Sequence, residues 1–158
     1  MPNLISKFER IARQSPIQIK KFEFQEEGLH PFDDRNVHPE ISKVSKRLFD
    51  DGHYSQATFE AFKYIDKEVH RLSHLSESGY KLMMQAFNDS TPKIKLTNLV
   101  TTSEIDEQSG YKYIFAGAIT AIRNPRGHEY LFRETPDQCL DHLSLASLLK
   151  RKLDNAIT

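Results

Sequence analysis

With 158 residues, 38% of them hydrophobic, the chain is long enough to bury one real core. Its 22 Lys and Arg balance its 22 Asp and Glu, which excludes tight, sequence-blind binding to nucleic acid and confines any RNA contact to a local patch. A single cysteine, Cys139, excludes an internal disulfide. The start, Met1 to Arg13, lacks a secretory apolar run, and no later stretch approaches the ~18 apolar residues of a membrane span. The expectation is a soluble cytoplasmic protein with no membrane contact.

Leu4 to Arg13 reads as a short helix stopped by Pro16, followed by Ile17, Ile19, Phe22 and Phe24 as a docking segment. The polar run Gln25 to Asn36 reads as a loop, so residues 1–36 form an N-terminal extension and residues 37–158 the helical domain. Pro39 suits a first helical position, and Ile41, Val44, Leu48 and Phe49 give that helix an apolar face as far as Asp50-Asp51-Gly52. From His53 to Leu75, Tyr54, Ala57, Ala61, Ile65, Val69 and Leu72 recur at helical intervals, widened by Phe59 and Phe62, as expected of a central helix. Glu77 to Phe87 repeats the pattern with Tyr80, Met83, Met84 and Phe87; the methionines are core filler.

Ile94 to Thr102 is β-branched but too short to make a sheet alone, so it reads as a strand-like loop. Helix resumes over Asp106 to Arg123 with Tyr111, Ile114, Phe115, Ala118, Ala121 and Ile122 inward. Gly117 and Ala118 are small enough to accommodate a neighbouring helix. Pro125 disfavours helix at Asn124, predicting a kink or an end there. The last helix has the clearest start, with Thr135 as N-cap, Pro136 at the first position and Gln138 closing a capping box. Leu140, Leu143, Ala146, Leu149 and Leu153 form its stripe, with Cys139 among them as a small buried hydrophobe and Lys150, Arg151 and Lys152 at its carboxyl end. The fold class is all-α, a compact bundle of four to five main helices with short peripheral N-terminal segments.

The run Arg123-Asn124-Pro125-Arg126-Gly127-His128-Glu129-Tyr130 sets two guanidiniums, an imidazole and a phenol within eight residues. Arginine holds phosphate through a planar pair of donors, and histidine exchanges a proton near neutral pH, so the stretch has the parts for cleaving a phosphodiester. The structural alternative is that His128 or Arg126 caps a helix ending at Arg123 while Pro125 fixes the corner. His70 and His74 stand four apart without the glutamate of a zinc-protease motif and read as surface residues, as do the carboxylates Glu60, Asp66 and Glu68. No metal site and no cofactor are expected. His38 reads as a cap or an interhelical hydrogen-bonding group.

These blocks, in this order, resemble the HEPN superfamily of small helical domains, and more closely its Ymh branch. The resemblance runs from His38-Pro39-Glu40-Ile41 through Leu48-Phe49-Asp50-Asp51-Gly52-His53-Tyr54, Gly79-Tyr80-Lys81-Leu82-Met83 and Phe115-Ala116-Gly117-Ala118 to Arg123-Asn124-Pro125-Arg126-Gly127-His128 and Ser147-Leu148-Leu149. It implies a bundle that commonly dimerises, bringing two Arg-x4-6-His motifs into one cleft, and a metal-independent endoribonuclease used in defence or toxin–antitoxin control. The motif residues would be Arg123 and His128, supported by Asn124, Arg126 and Tyr130. The resemblance also implies an antitoxin or defence-system partner and, from Arg-x4-His-x-Tyr, a modification target at Tyr130. The alternative is a non-catalytic module that recognises a protein or nucleotide through the same cleft.

Overall fold

The computed structural model describes residues 28–128 and 132–158. The expected helix over Leu4–Arg13, the Ile17–Phe24 segment and Tyr130 lie outside the described residues. The architecture is all-α. A single turn, α1 (Pro31–Asp34), precedes α2 (Pro39–Asp50), α3 (Tyr54–Ser73), α4 (Gly79–Ala86), α5 (Thr102–Ala118), a π-helical turn (Ile119–Arg123), α6 (Asn124–His128) and α7 (Pro136–Asp154).

Two His-Pro pairs start the first two helices. His30 and His38 each accept a hydrogen bond on Nδ1 from the backbone N–H two residues on, at 3.1 Å, and each places Nε2 2.8 Å from a distant carboxylate, Asp50 and Asp154 respectively. A proline at the following position needs no N–H partner, so these caps satisfy the exposed helix ends. His38 therefore fills both expected roles, cap and interhelical bond. The turn α1 corrects the reading of Gln25 to Asn36 as all loop: Phe32 anchors it in the core against Phe49, with ring centroids 5.2 Å apart.

α3 is the central element, packed on α2, α4, α7 and the π turn. Its inward side chains Ala57, Ala61, Phe62, Ile65 and Val69 are fully buried, as the wide apolar stripe requires. Phe87 after α4 stacks on Phe115 of α5, centroids 4.6 Å apart, and both are fully buried. Burial of rings this size stabilises by about 1.5–3 kcal/mol each.

Asp66 is not a surface carboxylate. It is buried and accepts from the Gly79 N–H at 2.9 Å, where Gly79 takes a left-handed φ of +63° to open α4. Asp66→Ala is expected to cost about 1 kcal/mol, as a lost cap does, measured by urea unfolding.

The segment Ile94 to Thr102 stays a strand-like loop because side chains hold it. Gln108 of α5, itself buried, accepts from Leu96 N–H at 2.7 Å and donates to the Ile94 carbonyl at 3.0 Å. One isolated bridge, Lys95 with Ile157, ties the loop to the chain's end. α7 starts as read, with the reciprocal Thr135–Gln138 capping box and Pro136 in the first turn.

Candidate active site

Of the two expected outcomes at Pro125, a kink or an end, the end does not occur. In a regular α-helix its ring would press on the carbonyl four residues back. The π turn directly ahead of it widens the helix: Asn124 N–H bonds to the Ile119 carbonyl, five residues back. Thr120 Oγ1 adds a bond to the Ala116 carbonyl at 2.8 Å. Helix consequently runs from Thr102 to His128, and the site residues ride on its last turns.

Arg123 closes the π turn, half-buried. Its Nη1 donates to Asn124 Oδ1 at 3.1 Å, and its guanidinium carbon lies 5.8 Å from the Phe59 ring centroid. Lys63 Nζ, one turn along α3, lies 5.6 Å from the same ring and pairs with Glu60 at 3.1 Å. Glu60 also accepts from Gln56 at 3.0 Å. Two cations thus flank one aromatic ring. The Arg123 Nε atom is buried with no hydrogen-bond partner among the described residues, and the bond to Asn124 is the one the guanidinium makes among them.

Gly127 explains how α6 comes so close to α3. A Cβ there would sit 3.0 Å from Phe59 Cε2, so the ring that supports Arg123 also needs the glycine. Gly127→Val is expected to displace Phe59 and destabilise the fold by about 1–3 kcal/mol, read by thermal denaturation.

His128 ends α6 and is exposed. It stands five helical steps beyond Arg123, about 7.5 Å along the axis and about 140° around it. The structure places both at one end of the bundle and does not bring them into hydrogen-bond contact with each other within one protomer. Asn124 does meet Arg123, through its side-chain oxygen.

Arg126 turns inward. Its side chain is 4% exposed, its Nε donates to Glu134 Oε2 at 2.8 Å, its Nη1 donates to the Ile122 carbonyl at 2.7 Å, and Phe132 covers it with the ring centroid 4.4 Å from Cζ. The expectation that Arg126 supports substrate is corrected to this extent: its donors serve the fold, because a phosphate could reach them only by displacing Glu134. The bond to Ile122 is made within a continuing helix, so the capping alternative, which needs a helix end at Arg123, does not hold.

Glu134 and His142 are the residues that sequence reasoning missed. Glu134, 1% exposed, accepts from Arg126, from Thr58 Oγ1 at 2.9 Å and from His142 Nδ1 at 2.6 Å. Burial raises its affinity for a proton, yet the bonds from His142 and Arg126 outweigh burial and hold its carboxyl below the ordinary glutamate value. Beside it Cys139 is fully buried, and burial pushes its thiol up to about 11, an inert small hydrophobe as read. No periodicity announces this cluster, since Glu134 lies in a loop and its partners are far apart in the chain.

Elsewhere, Lys150 is buried among Asp154 and, at 3.5 Å, Glu68, an anchor between α7 and α3. His70 and His74 are exposed beside an open groove at the far end of α3. Among the described residues, no three His, Cys, Asp or Glu side chains are placed to share a metal ion, and no helix is long and apolar enough to cross a membrane.

A family model described as "Protein of unknown function (Hypoth_ymh)" matches residues 35–153, from the end of α1 to the end of α7. No curated protein and no solved structure matches the chain.

Proposed function

Because the chain belongs to the Ymh family, we propose from the geometry of its own site that it is a HEPN-type endoribonuclease, cleaving RNA without a metal ion and working as a homodimer in a defence or toxin–antitoxin setting. The observation that carries this reading is the pairing of Arg123 and Lys63 about Phe59, with a buried guanidinium donor unused, at the same end of the helix as an exposed imidazole. A phosphate can meet the guanidinium through its Nη donors, of which Asn124 engages one among the described residues. The ring edge or face gives an RNA base something to stack on, a contact that suits a protein of neutral overall charge.

The chemistry follows from what RNA supplies. A base removes the 2′-hydroxyl proton, the 2′-oxygen attacks phosphorus, the bond to the 5′-oxygen breaks, and an acid protonates that oxygen. Arg123 stabilises the charge that builds on the phosphorane, and His128 moves a proton. Products are a 2′,3′-cyclic phosphate and a 5′-hydroxyl, and DNA is spared for lack of the nucleophile. A π-helical turn at the motif fits this use, since such turns concentrate at functional sites.

The homodimer rests on the outer face of α5 and the π turn that continues it. Gly110, Tyr113, Ile114, Gly117 and Ala121 recur there at helical intervals, all exposed. Ile114 and Ala121 therefore point outward, which corrects their inward reading. A Cβ at Gly110 or Gly117 meets nothing within 4 Å, so no packing among the described residues requires either glycine, although each costs the helix about 0.5–1 kcal/mol relative to alanine. Close approach of a second α5 gives both a reason. Gly117→Arg is expected to leave the fold intact and abolish dimerisation, seen as a halved mass in sedimentation; a monomeric unmutated protein would remove the dimer from the proposal.

The test of the activity is incubation of purified protein with total RNA and with DNA in EDTA, followed by end-group analysis. Cleavage of RNA alone, leaving cyclic phosphate ends, is expected. Intact RNA after any bound inhibitory partner has been stripped away would favour the silent interaction module, for which the separation of Arg123 from His128 within one protomer already speaks.

A further inference from the structure

Metal-free cleavage requires two proton transfers, and the Arg123–His128 motif supplies one imidazole per protomer. A second histidine stands in the same region, on the first turns of α7. His142 Nδ1 lies 2.6 Å from Glu134 Oε1, and an ionised carboxylate only accepts, so the ring proton sits on Nδ1. Arg126 Nη2, 3.4 Å from the same nitrogen, is a donor facing a donor; it contributes charge to Glu134 rather than a bond to the ring. The lone pair of the neutral ring is then on Nε2, and the side chain is 27% exposed. A buried carboxylate that fixes tautomer and ring direction is the arrangement by which histidines are prepared for proton transfer.

We propose that His142 is a second proton-transfer group of this site, with Glu134 as its positioning residue. Around the axis of α6, Arg126 lies about 60° to one side of Arg123 and His128 about 140° to the other. Arg126 ties the Glu134–His142 pair to the helix that carries Arg123 and that His128 ends. One protomer then carries both the acid and the base. Among the described residues, the groups that face His142 are Glu134 from the loop and Arg126 from α6, with Thr58 of α3 and Cys139 of α7 on the far side of the carboxylate.

This assignment rests on the ribonuclease reading, and the experiment separates the two. His142→Gln keeps an N–H for Glu134 and the packing but carries no titratable proton. Its pH–rate profile for RNA cleavage is expected to lose one limb of a bell and its kcat to fall about 10²- to 10⁴-fold, with RNA affinity and Tm little changed. Nitrogen NMR of the unmutated protein is expected to show the neutral His142 ring protonated on Nδ1. An unmutated protein that cleaves while His142→Gln keeps both its limbs and its rate overturns the role of His142 and leaves the nuclease standing. Protonation on Nε2 overturns it as well. Absence of cleavage by the unmutated protein sinks the nuclease reading itself, and this role with it.

Discussion

His128→Ala is expected to lower RNA cleavage by about 10²- to 10⁴-fold while Tm stays unchanged. The side chain is exposed at the end of α6, so its removal leaves no cavity and uncovers no buried polar group. Loss of rate without loss of stability separates a chemical role from a structural one. Arg123→Lys is expected to fail in the same assay for a different reason. The guanidinium is planar and presents several donors at once, whereas an ammonium at the same place is a point charge with no fork to offer a phosphate. A full cleavage rate in His128→Ala would end the mechanism, whatever Arg123 does.

Glu134→Ala is expected to be the most damaging single change to the fold. It strands Arg126, whose side chain is 4% exposed, and removes at once the acceptor of Thr58 and His142. Leaving a buried charge unpaired costs about 3–5 kcal/mol, a fall in Tm on the order of 10 °C for a chain of this size. The pH dependence has a definite sign. The folded protein holds the Glu134 carboxyl below its ordinary value, so its stabilisation is fully present at neutral pH and is lost as the pH falls below about 4.3 and through the lowered value. Glu134→Gln is expected to be less stable at pH 7 and to show a shallower loss in acid. The slope does not vanish, because Asp154 and Glu68 are also held low, Asp154 by Lys150 and His38 against its burial and Glu68 chiefly by Arg71. Urea unfolding at a series of pH values measures both effects, and parallel curves for the two proteins would show that the Glu134 carboxyl binds its proton equally well folded and unfolded, so that the fold does not hold it low.

Much of the fold was legible from residue order because helix signals are local. The stripe of α3, the Pro39 start of α2 and the Thr135–Gln138 box each rest on residues within a few positions of one another, and each is found where read. Arg123 and His128 were legible as residue types with suitable chemistry. Lys63 and Phe59, which give Arg123 its surroundings, read only as parts of a helix, since their relation to Arg123 exists across two elements. Glu134 and His142 were invisible for the same reason.

Residue order alone was enough to place the starts of α2, α3 and α7 and to show that the helices bury one core, since capping bonds and apolar periodicity act over one or two turns. Only the tertiary structure decided which side of α5 faces water, because Tyr111, Tyr113, Ile114, Phe115, Ala116 and Ala118 make that helix apolar nearly all round and leave the choice to the neighbours that arrive. It also decided that Pro125 is passed rather than obeyed, through a π turn ahead of it, and that Arg126 turns inward, because a guanidinium follows the nearest buried carboxylate and Glu134 is brought there by the fold.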